Sequence, residues 1–284
     1  KLTFTVHKDN VINFQEGNPV SMTVDGKEMF YGFVFEKSRS GSDNKKIKVT
    51  VYDQLYYLNN KDYFQYENKT ATEVVRMLAE DFGLNAGALE DTGYKIASRT
   101  EDNKSLFDII QNALDETLKA TTQLYVLYDN AGKLTLSNIG NMKLGLVINE
   151  DTAGDYDYKS SIANNTYNKI RLFREGSDPV TVKSSSTIMQ WGVLQYAEKV
   201  NDDSTNLNNM AASLLKLYNT KTRTLSVKNV LGDTRVRAGT LLVVILGLGD
   251  MNVSNFMLVE SVKHSFKDGQ HLMELKLRGG TFVT

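Results

Sequence analysis

The chain has 284 residues, 41% hydrophobic and 24% charged, with a formal net charge of -1. That is ordinary globular composition for two or three domains, and it carries neither the basic surface of a nucleic-acid binder nor an acidic disordered tail. The absence of cysteine excludes a disulfide scaffold, a thiolate metal site and a cysteine nucleophile, and fits a reducing compartment.

Residues 1–66 read as strands. LTFTV alternates from Leu2, which places His7 on the solvent side, opposite in parity to Leu2, Phe4 and Val6. This opening is strand-like and not a secretory signal, and no initiator methionine precedes it. The expectation is a fragment that begins inside a folded unit, with N-terminal strands of its first barrel missing. EGNP at Glu16–Pro19 has loop chemistry. Asp25-Gly26 is a hairpin turn, followed by KEMFYGFVFE, a polar loop and IKVTVYD. A small antiparallel sheet or barrel is expected.

Residues 67–150 change character. Thr70-Ala-Thr-Glu73 is a capping box, and Val74, Met77, Leu78 and Phe82 follow at helical spacing until Gly83. This predicts a helix over 71–82. A second helix is expected over 106–118, with Leu106, Ile109, Ile110, Ala113, Leu114 and Leu118 as its apolar stripe. QLYVLYDNAGKLTLSN then reads as a hairpin turning at Asp129–Gly132, so this part is an α+β module.

Residues 151–284 return to strands. YNKIRLF leads in, SDPVTVKSSS reads as a serine-rich loop, and one inserted helix is expected at about 205–218. The longest apolar run, Leu241 to Gly249, is far too short to span a bilayer as a helix. The chain closes on VESVKHSFKDGQHLMELKL. Asp268-Gly269 is a two-residue hairpin turn there, pairing Lys267 with Gln270, Phe266 with His271, His264 with Met273 and Val262 with Leu275. His264 and His271, two of the three histidines, then share one face as diagonal neighbours roughly 7–8 Å apart at the backbone. Two ligands do not make a zinc site, and there is no HxxxH or HExxH spacing. The expectation is two half-buried histidines on an apolar sheet face, with no metal.

Other candidate chemistry is thin. No nucleophile elbow or phosphate loop occurs, and Gly247–Gly249 lacks the context of a dinucleotide fingerprint. DDSTN at Asp202–Asn206 lacks the glycine and glutamate of a calcium loop, so helix capping is expected. EDTAGDYDY at Glu150–Tyr158 is expected to be a solvated linker between modules. The carboxylate spacing of a glycosidase is invisible in sequence. The many tyrosines and phenylalanines read as core, with some facing a partner. No catalytic, cofactor-binding or metal-ligating residue is therefore assigned. One internal echo stands out. Phe30–Val51 and Phe256–Leu277 each comprise an aromatic-led strand, a polar turn and an alternating strand. The echo has two readings, duplicated barrels or the generic look of hairpins.

The order FYGFVF, KTATEVVRMLAEDFG, SLFDIIQNALDETLKAT, LYVLYDNAGKLTLSN, YNKIRLF, VLGDTRVRAG and VESVKHSFKDGQHLMELKL resembles the XkdQ/YqbQ-type proteins over nearly the whole chain. These are baseplate hub proteins of contractile phage tails and phage-tail-like bacteriocins, related to the hub regions of type VI secretion spikes. The resemblance implies a β-rich α+β fold with two small antiparallel β-barrel domains, 1–66 and 151–284, and an α+β module, 67–150, between them. It implies a non-enzymatic homotrimeric ring joining the tail tube to the central spike among other baseplate proteins. No cofactor, nucleic-acid recognition or membrane span belongs to that role. The protein would sit in the baseplate of a virion or tail-like particle assembled in the bacterial cytoplasm. The alternatives are a carbohydrate- or cell-surface-binding module of the tail tip, which would need exposed aromatics lining a groove, and a cell-wall hydrolase, which would need carboxylates converging in a cleft.

Overall fold

A computed structural model describes residues 1–8, 13–41, 43–201, 205–247 and 252–279. The chain divides into two compact units, Lys1–Ala113 with Leu127–Ser137, and Leu114–Val126 with Asn138–Thr284.

The first unit begins with β1 (Leu2–His7), β2 (Pro19–Val24), β3 (Lys27–Ser40) and β4 (Asp43–Tyr52). They form an antiparallel sheet in the order β1-β4-β3-β2. Alternation decides which face is apolar: Leu2, Phe4, Val6, Val20, Val34, Ile47, Val49 and Val51 cluster on one side, and His7 is exposed on the other. Asp25 and Gly26 both take positive φ, 51° and 76°, as the two-residue turn between β2 and β3 requires.

After β5 (Lys61–Lys69) come α1 (Ala71–Asp81), β6 (Ala86–Leu89), β7 (Ile96–Ser105), α2 (Leu106–Thr121), β8 (Tyr125–Asp129) and β9 (Leu134–Asn138). Both helices start where the sequence predicts. The capping box is present in full: Thr70 N–H donates to Glu73 Oε2 (2.7 Å) and Glu73 N–H to Thr70 Oγ1 (3.1 Å). The Lys95 ammonium and the Thr70 amide together pull the half-buried Glu73 carboxyl down to about 2. Val74, Val75, Leu78, Ile109, Ile110 and Ala113 are buried along the two apolar stripes. The unit boundary falls inside α2, between Ala113 and Leu114.

The second unit contains β10 (Lys143–Asn149), β11 (Asp155–Ser161), β12 (Lys169–Phe173), β13 (Val180–Lys183), α3 (Ser185–Trp191), β14 (Gln195–Lys199) and α4 (Leu207–Tyr218). It ends with β15 (Thr222–Leu231), β16 (Leu241–Gly247), β17 (Asn252–Lys267) and β18 (Gln270–Gly279). Six strands form one sheet in the order β10-β16-β17-β18-β15-β11. Residues 162–221 are an excursion from the paired ends of β11 and β15. Thr222 Oγ1 donates to Ser161 O (3.0 Å) and Tyr167 N–H to Tyr218 O (3.0 Å) across its neck. Its own core is Ile170, Leu172, Val200, Leu207, Ala211 and Leu214.

Three sequence expectations change here. The serine-rich span holds β13 and α3, so residues 151–284 carry two helices and not one. Helix α3 is short and buries no residue, so it has no apolar stripe to read. The segment expected to be a linker supplies β11: Asp155 and Asp157 face solvent while Tyr158 packs on the core. The third predicted helix starts at Leu207, with Asn206 Oδ1 accepting from Asn209 N–H (3.1 Å). Residues 202–204 of the DDSTN motif lie outside the described residues, as do Leu248 and Gly249 of the glycine motif.

The echo between the two hairpins extends to whole sheets. Strands β15–β18 have the same order, β15-β18-β17-β16, and the same antiparallel pairings as β1–β4. Register makes the equivalence residue by residue. Val34 faces Val51 as Val259 faces Leu277, and both partners sit just before a bulge in the long strand. Leu2 faces Val51 as Leu225 faces Leu277, and Val20 faces Gly32 as Leu242 faces Met257. The fold is thus a β-rich α+β architecture with curled half-barrel sheets.

Candidate functional site

The connections that enter the second strand of each sheet are where chemistry and repeat coincide. In the first, Gly17 N–H donates to Val34 O (2.8 Å), and Val34 N–H returns to Asn18 O (2.9 Å). In the second, Gly239 N–H donates to Val259 O (2.9 Å), and Val259 N–H returns to Thr240 O (2.8 Å). Gln15 N–H is held by Asn18 Oδ1 (2.9 Å) as Arg237 N–H is held by Thr240 Oγ1 (3.1 Å). Gly17 and Gly239 have φ of 87° and 92°, where a side chain is strained. Thus FQEGNP and VRAGTL are one structural loop in two copies. Phe14 and Val236 each join the core beneath their sheet.

Each loop is also fastened from the long hairpin strand, by different chemistry. Lys37 Nζ donates to Phe14 O (2.8 Å) in the first copy. In the second, His264 Nε2 lies 2.9 Å from Val236 O. The predicted hairpin register is observed, with Phe266 opposite His271 and His264 opposite Met273. Asp268 and Gly269 take φ of 51° and 74°. It brings His264 Nδ1 to 2.9 Å from His271 Nε2, with both rings half-buried. Phe266 stacks on His271 at 4.1 Å between centroids and 19° between planes. The other side of the His271 ring presses on Gly232, where a methyl group would overlap it. Burial lowers the His264 pKa, the hydrogen bond to Val236 opposes that, and the His271 charge lowers it further. Arg235 holds the Asp233 carboxyl below its usual range.

Sequence reasoning found the histidine pair but missed Gly232, Asp233 and Val236, which complete its setting. The signal was available in the glycine shared by QEG and RAG, but the rest of the two loops has diverged. Among the described residues no group of three or more histidine, aspartate and glutamate side chains could hold a metal ion.

The outer faces of the two sheets differ. On the first, Tyr31, Phe33, Phe35, Tyr52, Tyr56 and Tyr57 form a partly exposed aromatic group. Its rings tilt into one another, as in Phe35–Tyr56 at 4.5 Å and Tyr52–Tyr56 at 4.6 Å. On the second, Leu241 and Leu258 are covered by Leu124, Val126 and Ile139. A shallow depression of about 290 Å³ over β15, β17 and β18 is lined by Lys228, Lys263, Lys276 and Glu274. Its one carboxylate is paired with Lys263 at 3.0 Å, so it holds no carboxylate pair.

This architecture is that of phage tail proteins. The fold matches the 43 kDa tail protein of prophage MuSo2 from Shewanella oneidensis with a TM-score of 0.67. That match covers 97% of this chain and 88% of the other at 16% identity. It also matches E. coli c3393, described as a component of the type VI secretion system with structural similarity to the T4 tail proteins gp27 and gp5. There the TM-score is 0.58, with 99% and 70% covered and 11% identity. The chain belongs to the YQBQ-like family, whose model it matches over residues 1–278. It is 30% identical to the phage-like element PBSX protein XkdQ of Bacillus subtilis (strain 168), over 92% of this chain and 81% of that protein.

Proposed function

We propose that the protein is a structural baseplate hub of a contractile tail or tail-like bacteriocin. It forms a homotrimeric ring on the tail axis, joins the tail tube to the central spike and contacts other baseplate proteins. It has no enzymatic role, and it works in the baseplate of a virion or tail-like particle after assembly in the bacterial cytoplasm. The observation that carries this reading is the repeated four-stranded sheet, matched in strand order, register and loop hydrogen bonds. Two such sheets per chain, taken three times, offer six similar positions to a sixfold tube. Closed rotational symmetry lets every subunit reuse one head-to-tail contact without a free end. On this reading residues 67–150 act as an α+β module whose last strand, β10, joins the second sheet.

A cell-surface-binding role would draw on the aromatic group over β3 and β4. Its rings pack tilted and edge-on against one another, which supports a protein contact better than stacking on a sugar. The test is cryo-electron microscopy of the assembled particle, with mass measurement of the protein mixed with its tube or spike partner. Trimeric density between tube and spike is expected, with each interface burying more than about 1,000 Å². Persistent monomer, or a ring of two or six copies, would overturn the hub reading.

A further inference from the structure

We propose that His264 and His271 form a one-proton latch. It fastens the 232–240 loop to the β17–β18 hairpin, and uptake of a second proton releases the loop.

The hydrogen-bond directions fix the argument. The Val236 carbonyl can only accept, so His264 Nε2 carries the hydrogen between them. In the neutral pair His264 Nδ1 is then an acceptor, and His271 Nε2–H donates to it across 2.9 Å. One added proton fits this frame. Whichever imidazole holds it, a single N–H···N hydrogen remains between the rings, and His264 still donates to Val236. A second added proton does not fit. Both facing nitrogens would bear hydrogens, and two cations would stand 5.2 Å apart between centroids. The pair therefore titrates as a unit in two separated steps.

Burial, the largest influence on His264, opposes its charge, the loop carboxylate favours a first proton on the pair, and the second proton is resisted. From the loop, the Asp233 carboxylate acts on both histidines and favours charge on the pair, while Arg237 opposes charge on His264. Arg235 engages Asp233 through Nε and Nη2 at 2.6–3.2 Å and offsets part of its attraction. From the hairpin, Phe266 and Met273 are uncharged neighbours. Lys263, Lys267 and Glu274 fall on the opposite face by strand alternation. The rings cannot swing away within the closed structure, because His271 is held between Phe266 and the Gly232 backbone.

The sign follows from linkage. The released histidines take up protons near their ordinary pKa of about 6.5. The closed pair refuses the second, so the open state binds more protons and gains as pH falls below that value. One proton of difference changes the opening equilibrium by up to about tenfold per pH unit. The equivalent loop of the first sheet is an internal control. It is held by Lys37 on Phe14 O, and a lysine does not titrate in weak acid.

The test is NMR of the full chain between pH 7 and pH 4.5. It follows amide exchange at Gly239 and Gly17, corrected for the intrinsic rate, together with imidazole nitrogen shifts. Gly239 should lose protection by up to about tenfold per pH unit below about pH 6, while Gly17 stays level. The two imidazoles should titrate in two separated steps. His264→Gln, whose amide can still donate to Val236 O, should remove the slope. Independent single-step titration of both histidines, parallel loss at Gly17 and Gly239, or an unchanged slope in His264→Gln would each overturn the latch.

Discussion

Strands β1–β4 and β15–β18 build the same sheet from almost unrelated side chains. Where the first has Ile47, Val49 and Val51 on its inner face, the second has Met273, Leu275 and Leu277. Among the described residues, β1 and β2 are outer strands, whereas their counterparts β15 and β16 are flanked by β11 and β10. The entry loops keep one glycine and one set of backbone hydrogen bonds, but one is fastened by lysine and the other by histidine. What persists between the copies is strand parity, a positive-φ glycine and the loop's bonding to the long strand. Side-chain identity is free to drift around these, because a strand face needs only apolar residues of fitting volume.

The largest contrast lies at Gly32 and its counterpart Met257, both buried. A Cβ on Gly32 would stand 2.3 Å from the Tyr52 backbone oxygen, and a backbone oxygen cannot move aside without shifting the ladder. In the second sheet the same place is open and filled by the Met257 side chain. Gly32→Ala should therefore cost about 3 kcal/mol by overpacking, and Met257→Ala about 3 kcal/mol by leaving a cavity. Urea unfolding followed by amide exchange in each sheet checks both. A Gly32→Ala protein of wild-type stability would mean that the two sheets do not differ in spacing here.

A smaller effect sharpens the match between the loops. Alanine at either Gly17 or Gly239 must adopt a φ near 90°, a strain of about 1–2 kcal/mol. At Gly17 the new methyl group meets nothing within 4 Å, but at Gly239 it approaches Val126 Cγ1 to 2.9 Å. Gly239→Ala should thus exceed Gly17→Ala by about 1 kcal/mol in thermal or urea unfolding. Equal costs would show that Val126 yields freely.

The hairpin at Asp268-Gly269 was legible to the residue, because a two-residue turn sets the register of everything beside it. The helices α1 and α2 were legible through caps and apolar stripes. Only half of the repeat could be read: the long hairpins show alternation and aromatics, whereas β1 and β15 share parity and few residues, Leu2 with Leu225 among them, and β2 and β16 share parity alone. The excursion 162–221 was hidden for a related reason. Its three strands have five residues or fewer, and α3 buries none of its residues. Short elements satisfied by single side chains leave little periodicity. Asn168 is one such side chain, donating to Gly192 O (2.7 Å) and accepting from Leu194 N–H (2.8 Å). The histidine pair could be placed on one face from sequence, but its partner Val236 lies in a connection with no such rule.

The smallest effect separates the side chains that close the two loops. Asn18 and Thr240 perform the same task, each accepting one backbone N–H three residues upstream. A hydrogen bond of this kind contributes about 1 kcal/mol when water cannot replace it, and less when water can. Thr240 is 2% exposed, so in Thr240→Ala the Arg237 amide loses its acceptor where solvent has poor access. Asn18 is only half-buried beside an exposed Gln15, so water can take its place. Thr240→Ala should cost about 1 kcal/mol and Asn18→Ala about half of that. Thr240→Ser, which keeps the hydroxyl, should recover most of the loss. Equal losses at both sites would instead show that the loop backbone, held by Gly239 on Val259, tolerates an unpaired amide in either copy.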